Sequence, residues 1–551
     1  MSGDDNYNVG GDSKMSSFAL TYELLTSAEI PSVDKPNLLA KSQSCSVNSQ
    51  SPHNRTSISS DENRQTGLVS NPKCVVDSVT WVVHLSITEL QFFECNNTTK
   101  EWMSISRVAG GPIAFKYQLS NLLYYKLIGS DLQLQFVTPE SGHKYRLAKT
   151  IRISGFASDQ HLYQWVQQLD YIGMVRRRPK HLEFIVNPVS GKKDSRKYFS
   201  KTVEPLLKSM GISYVKHETE RKGHATEICQ NLNLASIDGI IVLGGDGTAN
   251  EVTYGLTDFS AKSDRNSHGL KTTTRIGIIP CGTSNNLSYA VHGGADRLTA
   301  LLFALLGHSV NVDLMTARKP DSDSLLGIAM TMIAYGFIAD SIKESEKLRK
   351  LPGTLGYSIS FLRSIQKMRK YPGTVHLSMA GPDDITPHNS PPCKANCQHC
   401  RSSPEQDPES STQITLQESK IFGLQIHNHP GICELAPRGA TLNAHLGDGC
   451  MDVLLTRDLK QKEAIAMLKE VGKKDGQNLP FDFVEARRVN RVIFKADESN
   501  QSCWILDGEV IETPDIVISI HKQAVPFFGR GVEPELSTLK IGCMKSFCSC
   551  S

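Results

Sequence analysis

Gly239-Ile240-Ile241-Val242-Leu243 runs straight into Gly244-Gly245-Asp246-Gly247-Thr248, and Ala249-Asn250-Glu251-Val252 follows with a helical look. A short apolar run bounded by glycine reads as a strand buried on both faces. Glycines leave the backbone bare and permit positive φ, so peptide N–H groups can close around phosphate oxygens. A helix that begins just beyond adds its positive N-terminal end. In open α/β sheets, ligands bind at this edge, outside the carboxyl ends of the strands. A glycine turn without a ligand, stabilised by Asp246, is the rival reading, and one loop cannot decide between them.

The flanking chain repeats the pattern. Leu182 to Val186 and Ile276 to Ile279 are further apolar runs. Between them Phe199, Val203, Leu206, Leu207 and Met210 share one helical face, with Gly211 placed to end that helix. Leu298, Leu301, Leu302 and Leu305 mark another helix. Strands separated by helical patterns predict a doubly wound α/β domain with a parallel sheet over residues 181–308. Three more loops follow its strands: Asn187-Pro188-Val189-Ser190-Gly191, Arg221-Lys222-Gly223-His224-Ala225, and Pro280-Cys281-Gly282-Thr283-Ser284-Asn285. Four polar, glycine-bearing loops at strand ends favour a nucleotide phosphate site over four ordinary turns. The chain has no Gly-x4-Gly-Lys-Ser/Thr loop, no Gly-x-Gly-x-x-Gly spacing at this strand and no His-Arg-Asp signature. P-loop, dinucleotide-dehydrogenase and protein-kinase readings therefore lose their support.

The whole chain has 551 residues, 39% hydrophobic and 21% charged, enough for several domains with sizeable cores. Sixty Lys+Arg against 57 Asp+Glu leave a net charge of +3, which gives no electrostatic case for nucleic acid. No apolar run approaches the length of a membrane span, and no secretory leader is visible, so a cytoplasmic chain is expected. Residues 1–75, rich in Ser, Asn and Asp, are expected to be disordered. In residues 76–174, Trp81, Val83, Leu85 and Ile87 alternate, as do Leu132, Leu134 and Phe136. Leu162, Trp165, Val166 and Leu169 then fall on one helical face. Residues 175–180 form a basic linker around Arg176, Arg177 and Arg178. Residues 309–530 read as a separate β-rich, sandwich-like domain interrupted by a polar insertion at 380–415, and 531–551 as a tail. Within it, Leu325 to Ala339 reads as a buried strand ending at Asp340.

Gly244 to Thr248 after a strand, with Asn187 to Gly191 upstream and Pro280 to Asn285 downstream, resembles the diacylglycerol-kinase catalytic superfamily of lipid kinases. Tyr335-Gly336-Phe337-Ile338-Ala339-Asp340, followed by Glu344 to Lys347, is similar to the sphingoid-recognition segment of sphingosine and ceramide kinases. Asp507-Gly508-Glu509 is similar to their C-terminal motif. Cys393-x3-Cys397-x2-Cys400, with Pro437-Arg438-Gly439 and His445-Leu446-Gly447-Asp448-Gly449, resembles ceramide kinases in particular. The strands and Trp-bearing helix of residues 76–174 resemble a pleckstrin-homology domain.

The resemblance implies ATP-dependent phosphorylation of a primary lipid hydroxyl, with ceramide or a related sphingolipid as substrate. It makes Asp246 the general base. Asn187, Pro188, Val189, Ser190, Gly191, Arg221, Lys222, Gly223, His224, Ala225, Glu251, Cys281, Gly282, Thr283, Asp507, Gly508 and Glu509 would line the ATP site. Lys347 and Arg349 would reach its phosphates. Gly244, Gly245, Asp246, Gly247 and Asp340 would meet the lipid substrate. Mg2+ is the implied metal, with calcium open in its place. A membrane surface or phosphoinositide (through the N-terminal β-domain) and calmodulin are the implied partners, so peripheral membrane association is expected. For that domain, docking to lipid and docking to protein stand level. For the Cys393, Cys397, Cys400 trio, metal binding, redox sensing and an inert loop stand level, with His399, His388 or Cys433 as candidate fourth ligands. Sphingosine or diacylglycerol as substrate, a lipid-binding homologue with weak catalysis, and an NAD kinase are the alternatives.

Overall fold

The structure of the protein, a computed structural model, describes residues 115–531 apart from 141–143, 258–269, 349–354, 381–392, 394–396, 404–407, 472–480, 498–500 and a few shorter breaks. Before residue 115 it describes only Tyr22–Leu24, Cys74–Val76, Val79–Leu85 and Glu89–Glu94. Expectations for most of residues 1–75, for the tail beyond 531, and for Arg176, Arg349, His388 and Arg438 lie outside the described residues. The chain divides into two compact units, residues 1–136 with 148–172, and residues 137–147 with 173–551.

In the first unit, strands Val79–Leu85, Glu89–Glu94 and Phe115–Gln118 pair antiparallel, as do Leu122–Ile128, Asp131–Pro139 and Ile151–Ile153. Alternation along Asp131–Pro139 sends Leu132, Leu134 and Phe136 inward. Helix Asp159–Val175 closes that core with Leu162, Trp165 and Leu169, the apolar stripe visible in the sequence. Phe156 meets Trp165 edge to face, with ring centroids 5.7 Å apart.

The second unit is built on one sheet of fifteen strands. Four are parallel, in the order β2 (Ser213–Glu218), β1 (His181–Val186), β3 (Gly239–Gly244), β4 (Ile276–Pro280). Every residue of β3 and β4 is buried, as a parallel sheet covered on both faces requires. The edge strand β2 is only part-buried and carries Lys216 and Glu218, charges that discourage pairing with another chain. Helical segments Ser195–Tyr198, Phe199–Val203 and Glu204–Met210 bury Phe199, Val203 and Leu207, and Gly211 ends them at φ 68°. On the other side, α1 (His224–Gln230) and α2 (Asp246–Leu256) pack Ala225, Cys229, Ala249 and Val252 against Ile240, Val242, Ile276 and Ile278. After β4 come α3 (Asn286–His292) and α4 (Arg297–Leu305), the latter buried along nearly its whole length.

The β-rich part continues the same sheet. It contains β5 (Ser309–Arg318), β6 (Leu325–Ala329), β7 (Met332–Gly336), β8 (Tyr371–Met379), β9 (Gln413–Ile421), β10 (Gly423–His427) and β11 (Met451–Thr456). Then follow β12 (Val484–Ala496), β13 (Trp504–Leu506), β14 (Glu509–Ile511) and β15 (Ile516–Phe528). β15 joins the halves: it pairs antiparallel with β5 and β12, and parallel with β4 through Ile276 and Phe527. Tyr335, Phe494, Trp504 and Tyr371 form the aromatic centre of this half.

One expectation needs correction. Leu325 to Ala339 is not one strand; it folds into β6, β7 and the start of helix α5 (Phe337–Glu346). Gly336 turns the chain at φ 79°, where a Cβ would lie 2.7 Å from the Phe422 carbonyl oxygen, so Asp340 sits on a helix rather than at a strand end. Beyond residue 309, where the sequence reads as β-rich, α6 (Leu355–Lys367), α7 (Gln398–Ser402) and α8 (Gln461–Val471) follow α5. The stripes of α5 and α8 bury few residues, too few to stand out in the sequence.

Candidate active site

The register of the parallel strands places the predicted loops on one edge. Val186 pairs with Leu243, Gly244 with Pro280, and Val186 with Glu218, so all four strands end level. The loops then lock together through the backbone. Asn187 N donates to Leu243 O at 2.9 Å and Cys281 N to Gly244 O at 2.8 Å. A Cβ on Gly282 would stand 2.6 Å from Gly245 Cα, and one on Gly191, which has φ 48°, 2.2 Å from Cys281 O. These contacts are between main chains and cannot yield, so the glycines are required by the crossing of the loops. Gly247 is different: a Cβ there would meet open space.

Asp246 opens α2, and Gly245, its N-cap, has no side chain to occupy the first-turn amides. The half-buried carboxylate is oriented from the next loop. Asn286 N donates to Oδ2 and Leu287 N to Oδ1, each at 3.0 Å, so the start of α3 holds both oxygens. Each oxygen keeps a second lone pair for another partner. Burial pushes the Asp246 carboxyl up to about 6, with the Asp507 charge adding to the rise and the two amides opposing it.

The other predicted residues divide by what their side chains do. Asn187 Nδ2 donates to Thr248 Oγ1 at 2.9 Å, its Oδ1 accepts from Val189 N at 3.1 Å, and Val189 is exposed. Cys281 is buried, with its thiol pushed up to about 11, so its loop offers backbone rather than sulfur. Glu251 accepts from Gly223 N at 2.9 Å and Ala225 N at 3.2 Å, capping α1 and ordering the Arg221 to Ala225 loop. In that loop Arg221 donates to Glu227 at 2.7 Å, His224 Nδ1 accepts from Glu220 N at 3.1 Å, and Lys222 pairs with Glu509.

Asp507 and Gly508 form the two-residue turn of the β13–β14 hairpin, at φ 47° and 95°. Positive φ at both positions is the demand of a type I′ turn, which Asp-Gly satisfies best. The Asp507 carboxylate accepts from Met330 N (2.6 Å), Thr331 N (2.9 Å), Thr331 Oγ1 (2.5 Å), Met332 N (3.0 Å) and Asn250 Nδ2 (3.1 Å). It is a keystone between the β6–β7 turn and α2, with both oxygens taken.

Two cavities are lined by residues of the expected site. One, of about 600 Å³, lies beside Gly282, Thr283 and Asn285 and is also lined by Lys192, Asp194, Arg146 and Arg297. Arg297 grips Asp194 through two bonds of 2.9 and 2.8 Å and donates to Pro280 O at 3.0 Å. The guanidinium holds the Asp194 carboxyl below its ordinary range. Sequence reading missed this pair, since no spacing connects residues about a hundred positions apart.

The second cavity, of about 530 Å³, holds Asp340 together with Lys343, Lys347, Arg369, Tyr371 and Ser502. Ser502 Oγ donates to Asp340 Oδ1 at 2.6 Å and Tyr371 OH to Oδ2. Lys347 therefore lines the Asp340 cavity, and its ammonium pairs with Glu344 at 2.9 Å one helical turn back. The resemblance places it on the nucleotide phosphates.

A family profile described as the diacylglycerol kinase catalytic domain matches residues 181–317. Ceramide kinase of Mus musculus is 30% identical over 443 residues, covering 71% of this chain and 82% of that protein. Ceramide kinase of Homo sapiens is 30% identical over 424 residues, covering 68% and 78%. Among solved structures, a diacylglycerol kinase from Bacillus anthracis superposes with a TM-score of 0.43 at 20% identity, covering 64% of this chain and 97% of that one.

Proposed function

The chain belongs to the ceramide kinase family and is an ATP-dependent lipid kinase, and on that premise we propose that it transfers the γ-phosphate of ATP to the primary hydroxyl of ceramide, with Asp246 as general base. The observation that carries the reading is the setting of Asp246: a half-buried carboxylate, fixed by two amides, at the carboxyl edge of a parallel sheet where three glycine-bearing loops meet. Phosphoryl transfer asks the protein for in-line positioning, charge neutralisation and an acceptor for the hydroxyl proton. Each Asp246 oxygen has a lone pair free to accept that proton, and burial has raised its affinity for it.

Asn187 N, Val189 N, Cys281 N and Gly282 N are engaged within the loops, so the phosphates would meet the first-turn amides of α2, from Asp246 and Gly247, together with those of Gly191 and Thr283. Lys222, on the fourth loop and ion-paired with Glu509, would bring its ammonium to the same edge. Asp507 and Glu251 act behind these loops as positioning residues. A magnesium ion, bound with the nucleotide, would neutralise phosphate charge. Its donor set must be oxygen. Asp246, with lone pairs remaining, fits such a role directly or through water, whereas Asp507, fully engaged by five donors, does not.

Asp340 would receive the amide and hydroxyl head of the sphingolipid. Its support is the polar cavity around it, where Tyr371 and Ser502 hold the carboxylate in one orientation. Access to a lipid would come from the membrane surface. No described helix is long and apolar enough to cross a bilayer. Leu127 and Ile128, both exposed beside Lys126 at a hairpin end of the first unit, support lipid docking by that unit.

The test is purified protein with ATP and magnesium against ceramide, sphingosine and diacylglycerol in mixed micelles. Phosphorylation of ceramide, lost in Asp246→Asn, is the expected result. Turnover of diacylglycerol alone would overturn the substrate assignment, and undiminished turnover in the variant would overturn the base.

A further inference from the structure

The polar insertion and the loop between β10 and β11 bring four metal-ligating side chains to one point, and none belongs to either cavity described above. Cys393, Cys397 and Cys400 come from the insertion, the last two at the start of α7. His445 comes from the other segment. All four ligand atoms lie within 4.8 Å of one another. Cys393 Sγ and Cys400 Sγ are 3.7 Å apart, and His445 Nδ1 is 3.4 Å from Cys397 Sγ and 3.7 Å from Cys400 Sγ.

We propose that Cys393, Cys397, Cys400 and His445 bind one structural zinc ion, which clamps the insertion to the core. The distances support it. With Zn–S near 2.3 Å and Zn–N near 2.0–2.1 Å, the edges of a tetrahedral site are about 3.8 Å for S···S and about 3.6 Å for S···N. The three separations above match those edges to a few tenths of an ångström. They do not match a disulfide, whose sulfurs stand about 2.05 Å apart. Three thiolates and one imidazole are soft, which selects zinc over magnesium or calcium. Four protein ligands close the coordination sphere, the mark of a structural rather than a catalytic site.

The surroundings fit the same reading. Cys393 and His445 are buried. His445 Nε2, the ring nitrogen turned away from the sulfurs, is buried without a hydrogen-bond partner. The buried Asp448 carboxylate and His399 are its neighbours, and the three groups have ligand atoms within 4.8 Å of one another. A ligating histidine carries its proton on the far nitrogen, and the Asp448 carboxylate, paired with His399 Nε2 at 3.3 Å, lies within reach of that side of the ring.

Both ligand-bearing segments are pinned to the same stretch of β15. Gln523 Nε2 donates to Cys400 O at 2.7 Å and to Gly447 O at 3.0 Å, and Lys522 donates to Ser403 O. The buried Asp313 accepts from Gln523 N at 2.6 Å and Gly449 N at 2.7 Å. A metal there finishes a frame the backbone has already drawn. Binding converts three thiols to thiolates and releases their protons to solvent.

The full chain, purified without chelator, is expected to hold about one zinc per molecule by plasma mass spectrometry, released to a colorimetric chelator on mercurial treatment. Cys400→Ser and His445→Ala are expected to fall below about 0.2 equivalents, and His445→Cys to keep about one, since a fourth thiolate completes the same tetrahedron. Chelation should expose the thiols to alkylation and speed proteolysis between residues 381 and 412. Wild-type protein that holds under about 0.1 equivalents after zinc supplementation, with thiols reacting at their unfolded rate, overturns the site. Full zinc retention by His445→Ala overturns the four-ligand assignment. Metal content is read on the wild type, so misfolding of a variant cannot rescue the proposal.

Discussion

Asn250 Nδ2 donates to Asp507 Oδ2 at 3.1 Å, joining two residues 257 positions apart. The bond ties the helix that carries Asp246 to the turn that carries the Asp-Gly-Glu motif. A carboxylate with five donors is a structural anchor first. Asp507→Ala would leave three backbone amides of the β6–β7 turn without their acceptor, and charge-assisted bonds of this kind contribute about 1.5–3 kcal/mol. We expect urea unfolding to show a loss of at least about 2 kcal/mol for Asp507→Ala and about 1 kcal/mol for Asn250→Ala. Wild-type stability in Asp507→Ala would contradict the anchoring role.

As the proposed base, Asp246 would set the pH dependence. Its carboxyl is raised from the ordinary range to about 6 by burial. A base must be ionised, so kcat is expected to climb with pH and level off above about 6. The stability consequence has the opposite sense. Because the folded value exceeds the unfolded one, this group's contribution is full below the unfolded carboxylate pKa and is lost as pH rises through about 6. Asp246→Asn should abolish that slope and lower turnover by about 100-fold or more. An unchanged pH–rate profile in the variant would assign the ionisation elsewhere.

Gly282 and Gly247 separate loop packing from ligand approach. Gly282→Ala forces a Cβ to 2.6 Å from Gly245 Cα, so thermal stability and ATP affinity should fall together. Gly247→Ala meets no protein atom within 4 Å. In the first turn of a helix, alanine is also the better helix former, by up to about 1 kcal/mol. Its fold should be intact while KM for ATP rises, because the methyl would stand where a phosphate approaches. A wild-type KM in Gly247→Ala would remove the phosphate reading of that turn.

The Asp340 cavity should affect one substrate only. Ser502→Ala removes a 2.6 Å bond to Asp340 Oδ1, and Tyr371→Phe removes the hydroxyl that donates to Oδ2, leaving the Arg369 ion pair in place. Loss of orientation at the lipid head is expected to raise KM for ceramide about 5–10-fold, equivalent to about 1–1.4 kcal/mol, with KM for ATP unchanged. A shift in the ATP constant instead would place Asp340 with the nucleotide.

Short-range patterns were legible in the chain before any coordinates. The apolar runs of β1, β3 and β4, the helix ending at Gly211, and the four loops after the strands all followed from periodicity and glycine chemistry within a dozen residues. Asp507-Gly508 carried a further local signal, an Asp-Gly turn between apolar runs, which a resemblance to a catalytic motif concealed. Contacts between distant segments were not legible. That Asp246 rests on Asn286 and Leu287, that Glu251 caps another helix, that Arg297 grips Asp194, and that His445 joins three cysteines of the insertion depend on where whole elements pack. Local sequence determines how a segment bends because sterics and hydrogen bonding act between neighbours. Only the packed sheet decides which carboxylate faces a ligand and which is consumed in holding the frame, because that choice depends on donors contributed from elsewhere in the chain.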